Sequence, residues 1–237
     1  MSDLHLFRYR SRGEAVARQA RERAGSCDFL VLNGDIFDFR WADRPDLPDV
    51  PAAEAAAVAW LAEFGAAVAP TLVLYVLGNH DGHAEFRHRL AREAAGIPNL
   101  RWFQAFVRVG SALFLHGDLP LTFPRRTPLE RPPGRRPWRR GKAMRLWNMG
   151  IVYPFFGVLA PLVFPAAHAS RRVFQVLRRH APGVLPRVRD LCYGHIHHPF
   201  ADLAVGKRRV HNSGAPLPGF RWKMVRVETA AGDWEGW

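Results

Sequence analysis

The chain has 237 residues, 48% hydrophobic and 23% charged, with only two cysteines. That composition excludes a wholly disordered, collagen-like or disulfide-scaffolded protein and suits one large domain, or one domain with a sizeable insertion. The net charge of +13 is concentrated: residues 119–190 hold 15 Lys and Arg against Glu130 and Asp190, so this segment carries the whole excess and the remainder is neutral. So basic a segment seeks anions: a phosphate-bearing substrate, lipid headgroups or nucleic acid.

In chain order, the N-terminal MSDLHLFRYR lacks the apolar stretch of a secretory signal. The expected setting is cytoplasmic and reducing, with Cys27 and Cys192 as small core residues. Residues 28–33 (DFLVLN) read as a buried strand running into Gly34-Asp35. Residues 51–69, rich in alanine with Val58, Leu61 and Val68 on one face, predict a helix with Pro51 in its first turn. A second buried strand, 71–77, ends at Gly78-Asn79-His80-Asp81, and a helix is expected over 84–95, closed by Gly96. Residues 100–109 and 111–115 predict short paired strands, the latter ending at His116-Gly117-Asp118. Beyond the basic segment, 188–193 predicts a strand ending at Gly194-His195-Ile196-His197, with closing strands at 208–211 and 223–228.

The chemistry sits where the apolar runs stop. Asp3-Leu4-His5, Gly34-Asp35-x-x-Asp38, Gly78-Asn79-His80-Asp81, His116-Gly117-Asp118 and Gly194-His195-Ile196-His197 each offer oxygen or imidazole donors. Open α/β sheets gather ligands at the carboxyl ends of their strands, so these donors converge on one cleft. Carboxylate, amide and imidazole without thiolate suit a divalent ion such as Mn²⁺, Fe²⁺ or Zn²⁺ and argue against a structural zinc site. Each fragment alone is weak, since a lone Gly-Asp is usually a turn. All five in this order are a specific signal.

The set resembles the calcineurin-like metallophosphoesterase superfamily, with its pattern D-x-H, G-D-x-x-D, G-N-H-D/E, H-G and G-H-x-H. The resemblance implies an α/β fold, a four-layer α/β/β/α sandwich formed by 1–118 and 191–237, with 119–190 as a basic, apolar cap. It implies two divalent ions, Mn²⁺ foremost. Asp3, His5, Asp35 and His197 would hold one, and Asp35, Asn79, His116 and His195 the other, with Asp35 bridging. His80 would face the scissile phosphate as a general acid or donor, Asp81 would orient His80, and Asp38 would brace its loop. Asn212-Ser213-Gly214 resembles the small-residue turn that follows G-H-x-H in many members. A full strand normally leads into D-x-H; here only Met1-Ser2 precede Asp3, and a start placed too late is expected.

The cap has an Arg-rich half, 125–145, and an uncharged stretch, 146–170, broken by Pro154, Pro161 and Pro165. A single membrane crossing there would separate His195 and His197 from Asp35, so the stretch is read either as packing on the sandwich or as dipping into an anionic membrane surface. Arg125, Arg126, Arg139 and Arg140 are candidates for binding substrate phosphates. Such a cap resembles the insertion of the UDP-2,3-diacylglucosamine diphosphatase branch, which acts in lipid A synthesis on the inner membrane face. This chain differs from that branch in having His80 where the branch has Arg, and Leu119-Pro120-Leu121-Thr122-Phe123 where the branch is polar. The expected activity is hydrolysis of a phosphodiester or pyrophosphate bond in a lipid-linked substrate. The alternatives are a soluble metallophosphatase or nucleotide phosphodiesterase, and a non-enzymatic metal-bound scaffold. Nucleic acid is the less favoured partner, because the apolar stretch beside the arginines fits lipid better.

Overall fold

A computed structural model describes residues 1–42, 44–122, 165–229 and 233–236. Arg125, Arg126, Arg139, Arg140 and most of the cap lie outside the described residues.

Strands β1 (Phe29–Asn33), β2 (Leu72–Val76) and β3 (Leu100–Phe103) form a parallel sheet in that order. The second sheet contains β4 (Phe106–Val109), β5 (Ala112–Leu115), β6 (Asp190–Tyr193), β7 (Phe200–Val205), β8 (Arg208–Asn212) and β9 (Trp234–Gly236), in the order β7-β8-β6-β5-β4-β9. Side-chain alternation along each strand sorts the molecule into layers. Leu30 and Leu32 of β1, with Val73 and Tyr75 of β2, face helices α1 (Gly13–Arg23), α2 (Val50–Val68) and α3 (Ala84–Glu93). Their neighbours Val31, Leu74 and Val76 turn the other way and meet Val107 and Val109 of β4 between the sheets. Phe106, Leu113, Leu191 and Val210 on the far face of the second sheet pack against α5 (Ala166–His180), which follows the short helix α4 (Asp118–Thr122) in chain order. The result is a four-layer α/β/β/α sandwich, the fold class expected from the sequence.

Local chemistry explains the elements. Asp49 caps α2 by accepting the Ala52 N–H at 2.8 Å, and Pro51 sits in its first turn. In α5, Ala169, Val173, Val176 and Leu177 recur at helical spacing and are buried, while Arg171, Arg178 and Arg179 point outward. This helix lies inside the 119–190 segment and packs on the second sheet. Among the described residues no helix is long and apolar enough to cross a membrane.

Several expectations need correction. The stretch 100–109 is two strands: the chain leaves the first sheet after Phe103 and enters the second at Phe106, where β4 pairs antiparallel with β5. Residues 223–228 form no strand; β4's remaining edge is taken by β9 instead. Cys27 is exposed in the turn before β1, whereas Cys192 is buried in β6. Helix α1 escaped notice because its inward stripe is only Gly13, Val16, Ala17 and Ala20. Strand β7 escaped because a register shift between Phe200 and Leu203 breaks its alternation.

The short N-terminal segment reaches its place by pairing beside β1. Asn33 N–H donates to the Met1 carbonyl at 2.7 Å and Asp3 N–H to the Gly34 carbonyl at 2.9 Å, and the Met1 amino group donates to the Val31 carbonyl. Asn33 then links the sheets: its side-chain amide donates to the carbonyls of Leu115 and Cys192, at the carboxyl ends of β5 and β6. The strand ends that carry the donor motifs are thereby drawn together.

Candidate metal centre

At the carboxyl edge of both sheets, residues from five separate chain segments meet. His197 Nε2 lies 3.2 Å from Asp3 Oδ1 and 3.2 Å from His5 Nε2. His116 Nε2 lies 3.1 Å from Asp35 Oδ2 and 3.3 Å from Asn79 Oδ1. The rings of His116 and His195 stand edge to face with centroids 5.3 Å apart, and the His195 N–H donates to Asp3 Oδ1 at 3.1 Å. Three overlapping trios each place their donor atoms within 4.8 Å of one another: Asp3, His5 and His197; His5, Asp35 and His80; and Asp3, Asp35 and His116. Asp3, His5, Asp35 and His116 are buried.

Backbone and glycines make room for this crowd. Asp3, His5, Asp35, His195 and His197 all take left-handed backbone conformations, which non-glycine residues hold only when their surroundings compel them. A Cβ at Gly34 would fall on the His116 ring, at Gly78 on the Asp35 carboxylate, and at Gly194 on the Asp3 carboxylate. These three glycines are thus the gaps into which other donors fit. Ser2 fastens the first strand end, its Oγ 2.8 Å from Ser213 Oγ, and Asn212 donates to the Gly194 carbonyl at 2.9 Å.

The electrostatics are those of a site short of positive charge. Burial lowers the His116 imidazole, but Asp35 and Asp3 outweigh it and push the group up to about 10. Burial brings His5 and His195 down to about 4. Burial raises Asp35, yet His116 and His80 dominate and hold its carboxyl well below the usual range. Protons on imidazoles here balance buried carboxylates, and a cation binding the same atoms displaces protons. The donor set, the glycine gaps and the buried carboxylates fit a divalent metal, and the residues above would hold it.

His80 enters one of these trios, but its ring is held by a carboxylate outside them. Its Nδ1 is 2.8 Å from Asp38 Oδ1, which leaves Nε2 facing Asp35 Oδ2 at 3.9 Å. Burial lowers this imidazole, while the charges of Asp38 and Asp35 raise it further, so the net shift is upward. Asp38 also contacts His5 Nδ1 at 3.2 Å and Arg8 at 3.5 Å. The expected partner of His80, Asp81, is engaged elsewhere. Its Oδ2 accepts from Ile36 N–H at 2.7 Å and the Tyr75 hydroxyl at 2.8 Å, and its Oδ1 from Gly78 N–H at 2.6 Å. The two roles are exchanged relative to the sequence reading: Asp38 orients His80, and Asp81 braces the loops. Asn33 and Ser2 escaped the sequence reading, whereas Ser213 lies in the small-residue turn that it named; a polar residue ending an apolar run, as Asn33 does, was the available signal.

Two further histidines belong to structural pairs. His83 Nε2 meets Glu54 Oε1 at 2.7 Å, and His211 Nε2 meets Asp190 Oδ1 at 3.1 Å.

The sequence profile of calcineurin-like phosphoesterases matches residues 1–199. No curated protein matches the chain. Among solved structures, a conserved protein of Streptococcus pneumoniae described as a predicted phosphoesterase is 18% identical, covering 91% of this chain and 70% of its own, with a TM-score of 0.35. A phosphopantetheinyl hydrolase of Mycobacterium tuberculosis is 14% identical, covering 98% of this chain and 97% of its own, with a TM-score of 0.40.

Proposed function

Because the chain belongs to the calcineurin-like phosphoesterase family and is a metal-dependent phosphoesterase, we propose that it hydrolyses a phosphodiester or pyrophosphate bond at a two-cation centre. Asp3, His5, Asp35 and His197 would hold one ion, and Asp35, Asn79, His116 and His195 the other, with Mn²⁺ the first candidate. The observation that carries this reading is the position of Asp35, whose carboxylate is shared by two of the donor trios, one containing His5 and the other containing Asp3 and His116. Bound divalent ions supply Lewis acidity and lower the pKa of water.

The protein's own residues do the rest. Asp38 accepts the His80 Nδ1–H, and its charge with that of Asp35 favours the imidazolium, the form that presents an Nε2–H toward the cluster. Nε2–H stabilises charge on the phosphoryl oxygens or protonates the leaving oxygen. Asp81 holds the amides of residues 36, 37 and 78, keeping the Asp35 and Asn79 loops in register.

The narrower reading, a lipid-linked substrate of the UDP-2,3-diacylglucosamine kind handled at an anionic membrane surface, rests on the arginines and uncharged stretch within residues 119–190. Purified protein with Mn²⁺ is expected to cleave bis(p-nitrophenyl) phosphate and to lose that activity with chelator; folded, metal-loaded protein inert on all phosphoesters contradicts the general reading. Flotation with liposomes tests the narrower one: protein that stays at the bottom at every headgroup content leaves the soluble phosphodiesterase.

A further inference from the structure

A second concave site lies at the other end of β6. Residues 186–189 lead into this strand, and 194–197 leave it with the two imidazoles, so the two places are at opposite ends of one sheet. There α5, the approach to β6 and the turn between β7 and β8 enclose an open cavity of about 710 Å³. Every charged residue lining it is a cation: Arg171, Arg178, Arg187, Arg189, Lys207 and Arg208. Its apolar lining includes Phe174, Val188 and Val205.

Part of this lining is fixed. The Arg208 guanidinium donates to the Val188 carbonyl at 3.1 Å and the Leu185 carbonyl at 3.0 Å, and lies over the Phe174 ring at 5.5 Å. Arg189 is turned to Asp190. Arg171, Arg178 and Lys207 have no carboxylate partner among the described residues and are exposed. Like charges brought from three chain segments to one recess repel each other unless an anion joins them. The size falls within the range of small-molecule sites, and the six cations line one recess. Duplex nucleic acid and membranes fit that shape poorly.

We propose that this cavity binds a small polyphosphorylated molecule of nucleotide size, with Arg171, Arg178 and Lys207 pairing its phosphates and the apolar wall receiving its organic part. The site is separate from the metal centre and does not depend on its chemistry.

The test is calorimetric titration of inorganic tripolyphosphate and of ATP into full-length, chelator-treated protein at moderate salt. Both should bind, and the Arg171→Glu/Arg178→Glu/Lys207→Glu variant should bind each about tenfold more weakly or worse. Its melting temperature and Mn²⁺-dependent turnover of bis(p-nitrophenyl) phosphate should match the parent. The single variant Lys207→Glu, in an exposed turn, should weaken binding in the same direction if the triple variant fails to fold. Tighter binding of ATP than of tripolyphosphate supports the apolar wall's part, and equal binding removes it. Unchanged affinity in the variants overturns the proposal. So does a short DNA duplex or a phosphatidylglycerol vesicle whose binding depends on these residues when that of tripolyphosphate does not.

Discussion

The space between the two sheets and the loops at their carboxyl edge are built in opposite ways. Between the sheets, Val31, Leu74, Val76, Val107 and Val109 lie on regular strands and are apolar and buried. At the edge, buried carboxylates and imidazoles crowd together on left-handed backbone at Asp3, His5, Asp35, His195 and His197. Each such non-glycine residue costs about 1–3 kcal/mol, whereas each fully buried aliphatic side chain contributes about 1.5–3 kcal/mol. The interior therefore supplies stability that the edge consumes. Disturbing one region should leave the other's property largely intact, and that separation can be broken experimentally.

Among variants that keep the metal, the largest effect is expected at His80. His80→Ala should retain metal and melting temperature yet lose kcat on the order of 10²–10⁴-fold, measured on an aryl phosphodiester at saturating Mn²⁺. A wild-type rate in the metal-replete variant would remove His80 from the chemistry. Leu74→Ala, wholly within the sandwich, is the reverse case. It should cost about 2–5 kcal/mol in chemical denaturation while the folded fraction keeps its turnover; lost turnover at full folding would show that the two regions are not separable. Asp38→Asn should have the smallest effect, about 10–100-fold in activity. It should also move the alkaline limb of the pH–rate profile to lower pH, because the carboxylate that raises the His80 imidazole is gone and the donor loses its proton sooner; a purely bracing residue would lower the rate without moving that limb.

The motifs made the donor types and their convergence legible, because four of the five follow an apolar run and three carry a glycine, Gly34, Gly78 or Gly194, in whose missing Cβ space another donor lies. Gly78 illustrates this: its missing Cβ is the room in which the Asp35 carboxylate lies. The division of labour between Asp38 and Asp81 was not legible. Asp81 is next to His80 in its motif and Asp38 belongs to another; both are buried acids, and only the fold decides which oxygen reaches Nδ1. Likewise, the break at Gln104-Ala105 looks like a minor interruption of alternation, although it moves the chain from one sheet to the other. The apparent strand at 223–228 alternates but forms no ladder among the described residues, beyond the Lys223 N–H donated to the Ser213 carbonyl, and β4's second edge is taken by residues 234–236. Sheet membership is a long-range property that local periodicity does not contain.

The account turns on Asp35 as the carboxylate shared by two cations. The direct test is Mn²⁺ titration of metal-free protein, followed by calorimetry and metal analysis, for the parent and for Asp35→Ala. The account predicts two ions per chain in the parent, and loss of tight binding and of turnover in Asp35→Ala with an unchanged far-ultraviolet circular dichroism spectrum. A folded Asp35→Ala protein that binds two ions as the parent does would contradict it.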